Sequence, residues 1–339
     1  METPMLTLAA DMYGCPNRCL HCWLGHMPNR RMPEDADEYI VSYFAPFFDK
    51  IAYYSWLREP DFCDHYRERW ERDKRVSRNA QPERFELASF YRLARDKDYV
   101  SFLREVGVRT VQLTFFGIGE TQDLYVGRKG AYEEILLATD RLIAGGIAPR
   151  WQAFINEENV EEIVRLKEMA DEIREKRCPE MSFFVHEGSC EGENRHLYPI
   201  RIWREEIPEA LKGVYLHLDS LLTERECAQR LEMDFTHPEF PIGNELVLYI
   251  SAGYDVFYNF THMTSEWRIG NLKEERAENL VRRILTEDTF ALSLAKTCTW
   301  ADLVRRYGDP FSERVFSLDD FKMYLFNRFV EDAGRQAHR

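Results

Sequence analysis

Three cysteines near the start of the chain, Cys15, Cys19 and Cys22, are the residues whose spacing most directly implies chemistry. Thiolates in a C-x3-C-x2-C pattern suit the ligation of an iron–sulfur cluster or of zinc. A four-iron cluster held by three cysteines keeps one iron free for an outside ligand. The sequence therefore predicts a metal centre in this loop, and the spacing favours an iron–sulfur cluster.

A structural zinc site is the alternative for the same cysteines. With His21 or His26 as a fourth ligand, the three thiolates could form a Cys3His site. Such sites usually take ligands from two knuckles, and the sequence has no second C-x2-C pair. The remaining cysteines stand singly, which favours neither a disulfide framework nor a second cluster. They are Cys63, Cys178, Cys190, Cys227 and Cys298.

Composition limits the classes of protein that the chain can represent. With 339 residues, 45% of them hydrophobic, it can bury a sizeable core as a globular protein. Its net charge of −14 argues against a general nucleic-acid binder, which needs a basic face. No apolar run approaches the ~20 residues of a membrane span. We expect a cytoplasmic protein, with its thiols reduced, and neither nucleic acid nor membrane as a partner.

Strand-like apolar runs alternate with helical stripes through the first two thirds of the chain. Strands are predicted at 5–10, 109–115, 149–155, 181–185 and 213–218, and helices at 35–57, 132–144, 157–176 and 223–232. This alternation predicts βα units around a parallel sheet. The site of such a fold lies at the carboxyl ends of its strands. Polar residues recur there, namely Glu120, Asn156, His186, Glu187, His217 and Asp219.

Two further segments lie outside this alternation. Residues 58–97 form an insertion dense in charges of both signs, predicted to be a solvated helix outside the barrel, with a lid as the alternative. The composition changes near Asp234, and a hairpin over 246–258 followed by a helix is predicted beyond it.

The cysteine pattern, following an apolar run, resembles the signature of the radical S-adenosylmethionine (SAM) enzymes. The resemblance implies an α/β fold with a partial (β/α)6 TIM-like barrel over residues 1–233. It further implies that Cys15, Cys19 and Cys22 hold a [4Fe–4S] cluster whose free iron chelates SAM. An electron from a flavodoxin- or ferredoxin-type donor then cleaves SAM to a 5′-deoxyadenosyl radical, which takes a hydrogen atom from the substrate.

A second stretch resembles the family's Gly-Gly-Glu-Pro motif, which binds the amino group of SAM. Gly119 and Glu120 match its second glycine and its glutamate, and Gly117 stands in the same strand-end turn, where glycine permits close backbone approach. Ile118 replaces the first glycine and Thr121 the proline. By position alone, Gln152 and Asn156 stand where the family often contacts the ribose or carboxylate of SAM.

The last third, residues 234–339, resembles the SPASM/twitch region of these enzymes, a small α+β appendage. The cysteines that hold an auxiliary cluster in that region are missing here. We expect a cluster-free wall of the substrate site, and a plain hairpin-and-helix cap is the alternative.

The resulting hypothesis is an enzyme that abstracts a hydrogen atom from a small molecule or a peptide. Cys190 is the candidate thiol for returning a hydrogen atom to the substrate radical, and a small apolar filler is its alternative role. The competing hypothesis from another class is a zinc-stabilised α/β binding protein without catalysis.

Overall fold

The computed structural model describes residues 4–240, 243–260 and 262–337. The strands in that part of the chain are β1 Met5–Ala10, β2 Ile51–Tyr54, β3 Thr110–Phe115, β4 Ala148–Phe154, β5 Ser182–His186, β6 Leu222–Thr223, β7 Glu245–Ile250, β8 Asp255–Tyr258, β9 Gly270–Asn271 and β10 Val315–Phe316.

The helices surround these strands. They are α1 Ala36–Phe44, α2 Tyr66–Val76, α3 Phe90–Arg95, α4 Tyr99–Glu105, α5 Glu120–Val126, α6 Ala131–Ala144, α7 Val160–Lys176, α8 Glu209–Lys212, α9 Glu224–Leu231, α10 Ala277–Leu285, α11 Phe290–Ala295, α12 Trp300–Tyr307 and α13 Leu318–Ala337. In the described ranges no helix is both long and apolar enough to cross a membrane.

Two groups of three parallel strands carry the α/β fold. In one group β1 lies between β2 and β7, and in the other β4 lies between β3 and β5. Leu6 and Leu8 of β1 are fully buried on one face, so the alternate residues Thr7 and Ala9 face the other way. The predicted parallel α/β architecture with a partial barrel is confirmed.

The helix predicted over 35–57 is wrong in its second half. Helix α1 ends at Phe44, two residues before Pro46, which has no backbone N–H and so cannot continue the helical hydrogen-bond ladder. Residues Ile51–Tyr54 form β2 instead, with all four side chains buried. A run buried on both faces has no alternation of polar and apolar residues, so its period alone could not separate strand from helix.

The strand predicted over 213–218 is also wrong. Only Tyr215 forms a parallel bridge, to Val185 of β5. Helix α8 ends immediately before this segment, and His217 takes a left-handed conformation with φ of 57°. The segment is therefore too short and too turned to form a ladder.

The predicted C-terminal hairpin is confirmed, since β7 and β8 pair antiparallel. Strand β7 also pairs parallel with β1 along its full length, from Met5 opposite Glu245 to Ala10 opposite Ile250. The division of the chain after residue 233 remains a prediction. Residues beyond position 233 supply strand β7 to the sheet that contains β1.

The charged insertion is not a fully solvated helix. Helix α2 buries Arg69 and Asp73, and Arg69 Nε donates to Asp73 Oδ1 at 2.9 Å. Its guanidinium also pairs with Asp37 of α1. Asp73 Oδ2 in turn accepts from the backbone N–H and hydroxyl of Ser55, the residue after β2. This ionic network fixes the insertion to the barrel because its charges have no access to water.

Replacing Arg69 with methionine is expected to lower the free energy of unfolding by about 3–5 kcal/mol, because buried Asp73 loses its cationic partner and buried Asp37 keeps only Arg72. Urea unfolding followed by circular dichroism measures it. Lys74→Met on the same helix is the control, since Lys74 and Glu71 are exposed, and it should cost under about 1 kcal/mol. Equal effects of the two changes would contradict a structural role for the network.

Candidate functional site

The loop that carries the three cysteines begins directly after β1 and is fastened by a buried ion pair. Arg58, which follows β2, donates from Nε and Nη2 to the two carboxylate oxygens of Asp11 at 3.1 and 2.7 Å. Its Nη1 donates to the carbonyl of Met27 at 3.0 Å. The side chains of Arg58 and Asp11 are 7% and 2% exposed. The guanidinium of Arg58 therefore links the ends of β1 and β2 to Met27, which lies beyond the three cysteines in the same loop.

Local hydrogen bonds shape the loop around the first cysteine. The backbone N–H of Cys15 donates to Asn29 Oδ1 at 3.1 Å, and Asn29 Nδ2 donates to the carbonyl of Cys15 at 2.6 Å. Gly14 has φ of 82°, and a Cβ there would lie 2.6 Å from Asn29 Oδ1. Glycine is required at this position because any side chain would displace Asn29.

The three thiols are half-buried and close together. Burial raises the pKa of Cys15 and Cys22 above the ordinary thiol range and that of Cys19 to about 12. The guanidinium of Arg58 opposes this effect at Cys15 and Cys22, which places its positive charge near both sulfurs. Binding of a metal must therefore release protons, and the cation helps to hold the thiolates once they form.

The three cysteines line one common space. All eight cysteines are free. Within the described residues no group of three His, Cys, Asp or Glu side chains forms a ready-made site for a metal ion. A four-iron cluster binds each thiolate through a different iron, so it requires three cysteines around a common space.

That space is a cavity of about 1070 Å³, at the upper end of the size range for ligand pockets. All three cysteines line it. Four strands contribute residues to its wall. These are Thr7 and Ala9 from β1, Tyr54 from β2, Gln112, Leu113 and Thr114 from β3, and Glu245, Val247 and Tyr249 from β7.

Glu59 is an acidic residue of this cavity that the sequence analysis missed. It lies beyond the end of β2, one residue after Arg58, and its carboxylate accepts a hydrogen bond from the hydroxyl of Ser89. Burial raises the pKa of Glu59 to about 7. A cationic group in the cavity would favour the ionised carboxylate.

A signal for Glu59 was present in the sequence. Glu59 and Pro60 match the last two residues of the Gly-Gly-Glu-Pro pattern, whereas Glu120 is followed by Thr121. They also follow β2, the strand that pairs directly with β1. The prediction of a helix over 35–57 conceals this match, because Glu59 then follows no strand.

The turn over Gly117, Gly119 and Glu120 lines neither this cavity nor a second one that adjoins it. Glu162 of α7 holds this turn, accepting from the backbone N–H of Ile118 and from the hydroxyl of Thr121. A Cβ on Gly117 would collide with the carboxylate of Glu162. Glu120 is exposed at the first position of α5.

A second cavity of about 550 Å³ adjoins the first. Five residues line both, namely His21, Trp23, Gln112, Thr114 and Phe116. The ring centroid of His21 lies 3.9 Å from that of Phe116. Burial lowers the pKa of His21 to about 3, so the ring is neutral and forms a flat aromatic wall between the two cavities.

The structure brings four of the predicted polar residues to this second cavity, together with Cys190. They are Gln152, Asn156, His186 and Glu187. Gln152 bonds to both Gln112 and His186, and Asn156 Nδ2 donates to the hydroxyl of Tyr125 at 2.7 Å. His217 and Asp219, by contrast, are exposed and line neither cavity.

Cys190 is 1% exposed, and burial raises its thiol pKa well above the ordinary value. Its neighbours in the cavity wall include two buried carboxyls. Burial raises the pKa of Glu187 to about 7 and that of Asp320 to about 6. The thiol is therefore kept protonated, beside two carboxyls whose pKa values are also raised.

No protein-family model matches the sequence, and no curated protein matches it. Solved structures do match the fold. "Native anSMEcpe with bound AdoMet" is 14% identical at a TM-score of 0.51, covering 98% of this chain and all of the other. "Native anSMEcpe with bound AdoMet and Kp18Cys peptide" is 15% identical with the same TM-score and coverage. SuiB of Streptococcus suis bound to precursor peptide SuiA is 14% identical, with a TM-score of 0.46 over 94% of this chain and 75% of the other.

The chain has the fold of radical SAM enzymes. At these identities the likeness to the two anSMEcpe structures concerns the course of the backbone along nearly the whole chain, including the last third. It extends the resemblance of the cysteine motif from one loop to the complete fold.

Anaerobic treatment with iron and sulfide is expected to give a brown protein with about four irons per chain, because the three cysteines line one cavity at the spacing that a four-iron cluster uses. Iron analysis and absorption spectra measure this. Cys19→Ala should lose the cluster, whereas Cys227→Ala, at a buried cysteine that lines neither cavity, should keep it. A colourless protein with one tightly bound zinc would support the alternative.

Proposed function

We propose that this protein is a radical SAM enzyme that abstracts a hydrogen atom from a substrate bound in the second cavity. The observation that carries the proposal is the pair of adjoining cavities, one lined by the three cysteines and the other by a buried thiol. When bound, the cluster and SAM supply a 5′-deoxyadenosyl radical through one-electron cleavage of SAM. The chain's own residues bind the cluster and SAM, orient the substrate and exclude water.

The cysteine loop is proposed to hold the [4Fe–4S] cluster through Cys15, Cys19 and Cys22. Arg58 positions the loop through Asp11 and Met27 and places a positive charge beside the thiolates. Because Arg58 is already paired with Asp11, it contributes this charge without leaving an unpaired buried cation.

Glu59 is proposed to bind the amino group of SAM, in the role first assigned to Glu120. Its carboxylate lines the cavity that the cysteines line, so an ammonium group bound near the free iron would lie within its reach. Glu120, Gly117 and Gly119 remain the alternative for this role. Gln152 and Asn156 are proposed to contact SAM or the substrate from the second cavity, where they lie.

The substrate is proposed to be a small molecule or a peptide that enters the second cavity. The neutral ring of His21 and the apolar rings of Phe116 and Phe154 form an aromatic wall there, which helps to keep water from the radical. A flavodoxin- or ferredoxin-type protein is proposed as the electron donor. The eight free cysteines support a reducing, cytoplasmic setting for this chemistry.

The general test is the formation of 5′-deoxyadenosine. Reconstituted protein with SAM and a one-electron reductant should release it, and mass spectrometry detects it. Candidate substrates should increase the rate. Intact cluster without any cleavage of SAM would overturn the proposal, and a colourless zinc protein would favour the non-catalytic alternative.

Glu59→Gln is expected to weaken SAM binding at least about tenfold with iron content unchanged, because a charge-assisted hydrogen bond to the ammonium group is lost. Calorimetric titration of the reconstituted protein measures the affinity. Glu120→Gln is the matched comparison at an exposed glutamate and should change it little. The opposite order of effects would return the role to Glu120.

Cys190→Ser is expected to stop the return of a hydrogen atom to the substrate radical, because the O–H bond of serine is too strong to supply it. The protonated thiol breaks its S–H bond, the substrate gains a C–H bond, and the electron donor with a solvent proton restores the thiol. Deuterium uptake from D2O into the substrate, read by mass spectrometry, should vanish in Cys190→Ser. It should persist in Cys227→Ser. Unchanged uptake in Cys190→Ser would make Cys190 a packing residue.

A further inference from the structure

Acidic side chains dominate the charge of the second cavity. Three carboxyl groups line it, those of Glu187, Glu191 and Asp320. The first two lie in the segment after β5, whereas Asp320 lies in the first turn of α13. Burial, and then the charge of Asp320, raises the pKa of Glu187, and burial, and then the charge of Glu191, raises the pKa of Asp320. The three carboxyls therefore lie close enough to repel one another when they are ionised.

The basic residue of this cavity does not neutralise these carboxyls. Arg201 is the one arginine or lysine among the described residues that line it. Its Nη2 donates to Glu224 Oε2 at 2.5 Å, and its Nε and Nη1 donate to backbone carbonyls. Burial lowers the pKa of His21 to about 3 and that of His186 to about 4, so both rings stay neutral. The described residues thus supply no free positive charge to the cavity.

Glu191 carries a carboxylate oxygen that the chain itself leaves unbonded. The side chain is 12% exposed, and its Oε2 is buried and accepts no hydrogen bond from the described residues. His262 Nε2 lies 3.8 Å from the other oxygen, Oε1, which is beyond hydrogen-bond distance. The thiol of Cys190, 1% exposed in the same wall, also has no hydrogen-bond partner in the described part of the chain. Unbonded buried polar groups are costly, so a donor is expected to reach them from the cavity.

An ammonium group is the cation that matches this arrangement. It has three N–H donors that can each reach a different carboxyl, whereas a guanidinium presents its donors in a flat fork that suits one carboxylate. The rings of Phe116, Tyr125 and Phe154 also line the cavity, and a cation gains energy from contact with aromatic faces. The volume of about 550 Å³ lies in the range of ligand pockets and leaves room for the chain that carries the amine.

We propose that the second cavity recognises its substrate through a protonated primary amine, which Glu187, Glu191 and Asp320 bind. This inference rests on the proposed function and narrows its substrate class to molecules that carry an ammonium group. None of the three carboxyls is among the residues that line both cavities, so an amine bound to them leaves the rest of the substrate free to extend towards the first cavity. A free alkylamine and the side chain of a lysine in a peptide share this chemistry.

The test uses reconstituted protein saturated with SAM and without a reductant, so that SAM occupies its own site and is not cleaved. The probes are 1-hexylamine and 1-hexanol, which match in length and differ in charge. At about pH 8 hexylamine should bind at least about tenfold more tightly than hexanol, because the amine is protonated and the carboxyls are ionised. Titration calorimetry measures both affinities.

The affinity for hexylamine should also depend on pH. The pKa of Glu187 is raised to about 7 and that of Asp320 to about 6, so both carboxyls lose negative charge as the pH falls below these values. The amine stays protonated throughout this range. Between about pH 8 and about pH 6 the affinity should therefore fall at least about threefold, while that for hexanol stays constant.

Glu187→Gln and Glu191→Gln should each weaken hexylamine binding at least about fivefold and leave hexanol binding and iron content unchanged. Glu187→Gln should also flatten the pH dependence. Because Glu191 Oε2 has no hydrogen-bond partner among the described residues, Glu191→Gln should not lower the unfolding temperature, and it carries the test if Glu187→Gln does not fold. Glu209→Gln is the control, at an 87% exposed glutamate of α8 that lines neither cavity, and it should bind both probes as the parent does. Equal affinities of the parent for the two probes, or equal losses in Glu209→Gln and Glu191→Gln, would overturn the proposal.

A blocked pentapeptide with a central lysine and four alanines separates the two sources of the amine. Its lysine is its one cation, and the same peptide with norleucine is its uncharged match. Binding of the lysine peptide at least about tenfold more tightly than hexylamine would assign the ammonium group to a peptide substrate, and binding of hexylamine alone would assign it to a small amine. Failure of the proposed function is separate, since the parent would then hold no cluster or release no 5′-deoxyadenosine, whether or not hexylamine binds.

Discussion

The parallel pairing of β1 with β2 is the constraint on which the rest of the site depends. It brings the cysteine loop after one strand beside the Arg58–Glu59 segment after the other. The buried ion pair between Asp11 and Arg58 then fixes the two strand ends relative to each other. Without this pairing the thiols, the cation and the carboxylate would come from segments more than thirty residues apart, with nothing to bring them together.

The sequence predicted the general architecture well, because it depends on local patterns, and the assignment of the cysteine loop to a metal centre remains a prediction. Three cysteines at fixed spacing indicate a metal centre whatever surrounds them, and amphipathic helices such as α6 and α7 have a clear period. The prediction of secondary structure failed where burial on both faces removes the alternation of polar and apolar residues. Strand β2 is buried on both faces, and its assignment to a helix hid the strand order and with it Glu59.

The prediction that the charged insertion is a solvated helix failed for a related reason. A run with many charges of both signs is usually solvated, and nothing local distinguishes Arg69 from its exposed neighbours. Its burial depends on Asp37 and on Ser55, which tertiary contacts alone bring to it. The same limit applies to β7, whose partner β1 lies at the other end of the chain. Neither the burial of Arg69 nor the pairing of β7 with β1 can be inferred from the residues next to it in the sequence.

The pairing of β1 with β7 has a consequence for how the protein reaches its native state. The hydroxyl of Thr7 donates to the carboxylate of Glu245, which is 238 positions away in the sequence. During synthesis the first strand therefore leaves the ribosome long before its partner exists, with one edge open to other chains. Contacts of such long range slow folding. A nascent chain of this kind is the type of client that chaperones shield until the last third has been translated.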